Sequence, residues 1–155
     1  MRLLHVYSGN LFGGIETMLL ALAGTSGELS AGERTTGDRT AGERPGGESQ
    51  PVTHEFALSF DERLASELRA LGQPVHLLGP VRLSRPVSAH HARQALDVLL
   101  RTHHYDRVIC HAPWSLAIFG GVVRRRGVPL VFWAHDRMTG QHWTERFARH
   151  ARPDL

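Results

Sequence analysis

The chain has 155 residues, of which 41% are apolar and 21% charged, the size and composition of a single globular domain. Its 18 basic residues are all arginine and are scattered among 15 acidic residues; only Arg124, Arg125 and Arg126 form a run. Nucleic-acid-binding proteins usually show a concentrated basic stripe with interleaved aromatics, so this pattern argues against nucleic acid as a partner. The single cysteine, Cys110, excludes an intrachain disulfide and a paired-cysteine metal motif.

The apolar segments are short. None approaches the roughly 18 residues that a membrane-spanning helix needs. The run at Leu3–Tyr7 is also too short for a signal peptide. These features predict a cytoplasmic protein and leave peripheral contact with the inner face of the membrane open.

Strand-like and helix-like patterns alternate along the chain. We predict strands at Leu3–Tyr7, Glu55–Phe60, Val75–Leu78, Arg107–Cys110 and Leu130–Ala134. We predict helices at Gly14–Leu22, from an Asp61 cap to a Gly72 stop, from near Ser88 to His103, from Pro113 to about Arg126, and from about Gln141. Strands separated by helices of this length imply an α/β fold, a doubly wound parallel Rossmann-like sheet.

Residues 25–50 do not fit this alternation. Glycine recurs there every five residues, each time followed directly by an acidic residue, and Leu29 is the one large aliphatic side chain. Such a segment cannot offset its ordering entropy by burial, so we predict a disordered low-complexity loop. The alternative is a tail that binds a partner.

The last residues, Pro153-Asp154-Leu155, resemble the start of another strand after a surface helix. We therefore expect residues 1–155 to form one Rossmann-like domain that is truncated at its C-terminal end.

Ligands of doubly wound sheets gather at the carboxyl ends of the strands. Three unusual segments follow predicted strands: residues 8–16, His111–Ser115 and His135–Arg137. If the strand order is 3-2-1-4-5, the first and fourth strands are neighbours and the glycine loop faces His111.

The glycine loop suits a phosphate. Gly13 and Gly14 lack Cβ, can adopt positive φ, and present backbone N–H groups at a helix start. The alternative is an ordinary tight turn. A dinucleotide fingerprint fails because Leu11 stands where glycine is required, and a Walker A loop fails for want of lysine.

His111 is the best catalytic candidate, because a histidine at a strand end can donate to a phosphate or exchange a proton with a sugar hydroxyl. The alternative is a solvated loop histidine. His135 with Asp136 is a second pair, with a polar strand terminus as the alternative. Trp114 could stack on a sugar face or serve as a core aromatic.

The opening "MRLLHVYSGNLFGGIETMLLALA" resembles the first strand, glycine loop and helix of family 4 glycosyltransferases, whose Gly-Gly-x-Glu element corresponds to Gly13-Gly14-Ile15-Glu16. "YDRVICHAPWSLAIFGGVVRRRGVPLVFWAHD" resembles the acceptor-lobe segment of that family, with His111 and His135 at matching strand ends. "FDERLASELRALGQPVHLLG" is similar to its helix and third strand. The resemblance covers the chain outside residues 25–50.

This resemblance implies the N-terminal, acceptor-side lobe of a GT-B enzyme that transfers a sugar from a nucleotide-sugar to a carbohydrate or lipid-linked acceptor. It implies retention of anomeric configuration and no metal or cofactor beyond the nucleotide-sugar co-substrate. His111 would be catalytic, and Gly13, Gly14, Glu16, Trp114, His135 and Asp136 would bind substrate. The donor-binding C-terminal lobe is not in this sequence, so we expect these residues alone to be inactive.

Two alternatives remain. One is a non-catalytic sugar- or partner-binding Rossmann-like module. The other is a different GT-B enzyme, such as a sugar-nucleotide epimerase.

Overall fold

A computed structural model describes residues 1–10, 13–31, 52–82, 84–135 and 142–155. They form a five-stranded parallel sheet with strand order β3-β2-β1-β4-β5. The strands are β1 (Arg2–Tyr7), β2 (Thr53–Leu58), β3 (Val75–Leu77), β4 (Arg107–His111) and β5 (Leu130–Trp133). The helices are α1 (Gly14–Ala31), α2 (Arg63–Ala70), α3 (Pro86–Thr102), α4 (Ala112–Arg125) and α5 (Trp143–Ala148), followed by a 3₁₀ helix at Arg149–Ala151. The predicted fold class is confirmed.

The helices cover both faces of the sheet. On one face, α3 and α4 enclose the larger core, which takes Leu4, Val6, Val108 and Cys110 from the central strands. On the other, α1 and α2 pack on β2 around Phe56 and Leu58. Alternate residues of a strand point to opposite faces, so His5, between Leu4 and Val6, belongs to the α1 face.

Helix boundaries depart from prediction in two places. The first helix continues through Ala31, so residues 25–31 of the predicted disordered loop are helical. The remainder of that loop, 32–50, lies outside the described residues. Asp61 is not the cap of α2: that position is Glu62, without a side-chain cap bond, and Asp61 instead forms an ion pair with Arg69.

The residues after the 3₁₀ helix run beside β5. The Asp154 N–H donates to the Leu130 carbonyl, and the Phe132 N–H donates to the Leu155 carbonyl. These two backbone bonds join the segment to β5, although it is not itself a strand. Within the described ranges, no helix is long and apolar enough to cross a membrane.

Candidate functional site

Four histidines from four different strands or strand ends lie in line across the α1 face of the sheet. His54 stands near the start of β2, His5 in β1, His111 at the end of β4, and His135 two residues beyond β5. We call these four residues the histidine row. The row therefore ends at the carboxyl edge of the sheet, where doubly wound folds hold their ligands.

Neighbouring rings of the histidine row are hydrogen-bonded to one another. The nitrogens involved are His54 Nδ1 and His5 Nε2 (2.8 Å), His5 Nδ1 and His111 Nε2 (2.9 Å), and His111 Nδ1 and His135 Nε2 (2.9 Å). Successive ring centroids are 5.1, 5.2 and 5.2 Å apart. Both nitrogens of His5 and both of His111 are thus used inside the row.

Burial keeps the inner rings uncharged. Burial, with a smaller contribution from His54, lowers the pKa of His5 to about 3. Burial, then the neighbouring His5 and His135, lowers the pKa of His111 to about 2. Burial also lowers the pKa of His54. At neutral pH His5 and His111 are therefore neutral imidazoles, each with one N–H and one acceptor nitrogen.

His111 is fully buried, so it does not itself present a ring to solvent at the edge. His135, which is half-buried, lies outside it. Trp133 stands beside both rings: its ring is stacked on His135 at 5.8 Å and 3° and lies 5.7 Å from His111. With 42% of its surface exposed, Trp133 is an apolar platform at the carboxyl edge.

Trp114 serves as a core aromatic, the second of the two roles that its sequence position allows. It is half-buried, packs against the larger core and meets Phe119 edge-on at 6.2 Å. The aromatic residue next to His111 and His135 is Trp133, not Trp114.

The glycine loop opens α1 without the backbone geometry predicted for it. Positive φ occurs at Gly9 (+79°), and neither Gly13 nor Gly14 adopts it. Gly9 needs that freedom because the chain turns there after β1, close to Leu58 and Phe60. Gly13 and Gly14 are exposed, and a Cβ on Gly14 would meet no atom within 4 Å of the described structure.

Glu16 is a buried carboxylate at the first turn of α1. Its Oε2 accepts from the Gly13 N–H at 2.8 Å, the reach-back contact of a helix cap. Burial and this nearby carboxylate raise the pKa of Tyr7, at the end of β1, far above its ordinary value. The Gly13 N–H therefore already donates to Glu16. The amides of Gly14 and Ile15 are in the first turn of α1, where N–H groups have no acceptor within the helix.

A strained residue follows His111. Ala112 has φ +69°, the left-handed region that residues other than glycine seldom adopt. The Ser115 hydroxyl donates to the His111 carbonyl across this turn, and Pro113 stands in the first turn of α4 as predicted. Asp136 lies outside the described residues. Among those that are described, no group of three or more His, Cys, Asp or Glu side chains could hold a metal ion.

Sequence reasoning missed His5, His54 and Trp133. A two-residue period places Trp133 on the same face as His135, so the contact between these two rings could have been predicted from the sequence. His5 and His54 interrupt apolar strands, but no local pattern shows which strand pairs with which or in what register.

Comparison with solved structures finds the same architecture in several proteins. The chain superposes on Anabaena HepE in complex with UDP (TM-score 0.63, 15% identity, 97% of this chain and 35% of that one). It superposes on the lipopolysaccharide outer core galactosyltransferase WaaB (TM-score 0.64, 14% identity, 95% of this chain and 37% of that one). It also superposes on UDP-GlcNAc 2-epimerase from Neisseria meningitidis bound to UDP-GlcNAc (TM-score 0.61, 12% identity, 97% of this chain and 39% of that one).

These likenesses show the Rossmann-like fold of a GT-B N-terminal lobe. The chain spans between 35% and 39% of the length of these three proteins. No protein-family profile and no curated protein matches the sequence.

Proposed function

We propose that these residues form the acceptor-side lobe of a GT-B glycosyltransferase, which moves a sugar from a nucleotide-sugar to a carbohydrate or lipid-linked acceptor. The observation that carries this proposal is the contact between His111 and His135 at the carboxyl edge of β4 and β5. This edge adjoins the end of β1, from which the chain enters the glycine loop and α1. The architecture is shared with HepE, whose structure contains UDP, and with WaaB, a galactosyltransferase.

The residues at this edge have distinct parts in the proposal. His135 contacts the reacting sugar or a donor phosphate, and the buried His111 acts through it by holding its ring. Trp133 supplies an apolar face for a sugar ring. The Gly14 and Ile15 amides at the start of α1 lie where a helix attracts phosphate oxygens, and Glu16 belongs to the same turn. Asp136, which directly follows His135 in the sequence, is proposed to bind substrate with it.

Sugar transfer would also require a second lobe. In a GT-B enzyme the donor lies between two Rossmann-like lobes, and these residues correspond to one of them. We therefore propose that transfer needs a donor-binding lobe in addition to residues 1–155, that anomeric configuration is retained, and that no metal is required.

The coding DNA downstream of Leu155 should be read first, and any second lobe expressed with this one. Transfer from radiolabelled UDP- and GDP-sugars is then measured with and without EDTA, and product configuration is read by proton NMR. We expect a retained product that EDTA does not abolish. We expect His135→Ala to lower the rate about 100-fold, whereas His104→Ala, whose imidazole is 90% exposed, leaves it unchanged.

An inverted product would contradict retention, and absence of transfer from every donor would contradict the enzyme assignment. Epimerised nucleotide-sugar would instead identify an epimerase.

One observation favours a binding module as the second candidate. His111 is fully buried and has both ring nitrogens engaged by other histidines, as expected of a structural residue beneath a binding surface. Saturable binding of a sugar or lipid phosphate by the 155-residue chain alone, without turnover in the longer protein, would support it.

A further inference from the structure

The hydrogen bonds of the two inner rings of the histidine row restrict where their protons can lie. His5 and His111 are each bonded through both nitrogens to another imidazole. A neutral imidazole has one N–H, so each inner ring must donate on one side and accept on the other. Two acceptor nitrogens that face each other, or two N–H groups that do, form no hydrogen bond.

Only two proton arrangements therefore satisfy all three bonds with neutral rings. In the first, His54, His5 and His111 all carry the proton on Nδ1, and each donates towards His135. In the second, His135, His111 and His5 all carry it on Nε2, and each donates towards His54. Mixed arrangements leave a buried polar nitrogen without its bond, which costs about 1–3 kcal/mol.

We infer that the histidine row is a tautomer-coupled relay, in which His54 and His5 act as positioning residues that determine which nitrogen of His111 and His135 carries a proton at the ligand edge. The hydrogen bonding of the row stands independently of sugar transfer; only its use at that edge rests on the proposed function.

The relay also gives a route for one proton. When His135, carrying its proton on Nε2, gains a second proton on Nδ1, it can pass the Nε2 proton to His111 Nδ1 only if that nitrogen is the acceptor. In the second arrangement His111 Nδ1 is the acceptor. His111 stays neutral because it simultaneously gives its Nε2 proton to His5 Nδ1, and His5 stays neutral because it gives its Nε2 proton to His54 Nδ1. His54 then releases its own Nε2 proton to water, so one proton enters at His135 and one leaves at His54.

Packing alone does not explain why histidines occupy the buried positions of the row. His5 and His111 are among the most buried side chains of the chain, at 1% and 0% exposure, and lie beside Phe56 and Trp133. Apolar side chains in those two places would be buried without any polar group to satisfy. Four rings whose nitrogens meet at 2.8–2.9 Å instead form a continuous line between a half-buried His54 and the carboxyl edge.

The test uses the full chain, labelled with ¹⁵N-histidine and free of ligand, in long-range proton–nitrogen NMR at about pH 7. We expect His5 and His111 to share one tautomer, with a nitrogen–nitrogen coupling across the bond between His5 Nδ1 and His111 Nε2. The exposed His104 should give the averaged tautomers of a solvated ring. Opposite tautomers at His5 and His111, or different tautomer populations at the two rings, would overturn the relay.

A pair of substitutions at the far end tests the coupling directly. His54→Lys offers His5 Nε2 only a donor and should place the His111 proton on Nδ1. His54→Glu offers only an acceptor and should place it on Nε2. Because two hydrogen bonds separate His54 from His111, a His111 tautomer that is the same in both variants would refute the relay.

The same exchange at His91, an exposed position on α3, is the charge-matched control and should leave His111 unchanged. If either His54 variant fails to fold, the tautomers of His5 and His111 and the nitrogen–nitrogen coupling in the wild-type chain still test the relay. Because no substrate is present, failure here leaves the proposed sugar transfer untouched, and failure of transfer leaves the relay intact.

Discussion

His5 and His111 are ionisable side chains that folding removes from water. Their pKa values fall to about 3 and about 2, largely through burial. In an unfolded chain a histidine titrates near 6.5. Below that pH the unfolded chain binds protons that the folded chain does not, so falling pH favours unfolding. The contribution of these rings to stability is complete above about pH 6.5 and is lost progressively as pH falls towards 3.

We therefore expect the free energy of unfolding to fall between about pH 7 and pH 5. Each buried ring contributes on the order of 1 kcal/mol per pH unit below about 6.5. Urea denaturation at both pH values measures this loss. His5→Gln, which removes one of the titrating rings, should reduce the pH dependence, and His104→Gln should keep it. Equal stability of the wild-type chain at the two pH values would contradict the prediction.

Among the elements, α4 contains a glycine at a close contact between helices. It is the helix that covers β4 and β5, and the 3₁₀ helix after α5 lies against it at Gly120. A Cβ on Gly120 would lie 2.6 Å from the Ala151 Cβ and 3.0 Å from the Leu116 Cδ1. Ala151 cannot swing aside by rotating its side chain, so the helix pair would have to separate. Gly120 is there because the two backbones approach closely.

Gly120→Ala should destabilise the fold by about 1–3 kcal/mol, since overpacking exceeds the gain in helix propensity. The adjacent Gly121 is a matched control: it is exposed, and its added Cβ would meet only the end of the Arg125 side chain, at 3.9 Å. Gly121→Ala should stabilise by up to about 1 kcal/mol. Thermal and urea unfolding of both variants give the comparison, and a stabilised Gly120→Ala would show that the close approach is absent.

At the scale of the whole molecule, one buried carboxylate links parts of the chain that are distant in sequence. Glu55, on β2, accepts from Arg2 of β1, His76 of β3 and the Tyr105 hydroxyl ahead of β4. Burial alone would raise the pKa of Glu55, but the bonds from His76, Tyr105 and Arg2 together hold it below its ordinary value. The Arg2 guanidinium also lies 4.9 Å above the Tyr105 ring.

Glu55→Gln removes the charge that these donors share and should destabilise the whole sheet by about 2 kcal/mol. Glu62→Gln is the control, because Glu62 is exposed and makes no side-chain cap bond; we expect a change within about 0.5 kcal/mol. The free energies of unfolding in urea at about pH 7 provide the test. Matching values for the two variants would show that the Glu55 network contributes nothing to stability.

Most of the fold could be predicted because its signals are local. Apolar runs mark all five strands to within a few residues, and Gly72 and Gly127, which both adopt positive φ, follow the helices they are expected to end. The extension of α1 to Ala31 escapes prediction, since glycine and serine in residues 24–31 disfavour a helix in isolation. The capping role predicted for Asp61 is wrong because α2 begins at Arg63, which places Glu62 at the cap position, and Asp61 pairs with Arg69.

Less of the candidate site could be predicted. Strand order brings His111 and His135 to one edge, as the sequence indicates, and their roles in binding and catalysis stay predictions. The sequence leaves a sugar contact and a core role open for Trp114, and α4 directs it towards the core. Trp133 belongs to an apolar strand, yet 42% of it is exposed at the carboxyl edge, which only the structure shows.

The alternation of strands and helices, and the glycine and histidine that follow particular strands, can be read from the sequence because periodicity and turn preference act over a few residues. The meeting of four histidines depends instead on the folded arrangement of the strands. Their hydrogen bonds join residues 49, 106 and 24 positions apart, so they depend on which strands pair and in what register. That register is selected by the packing of helices on both faces of the sheet, which no short stretch of sequence contains.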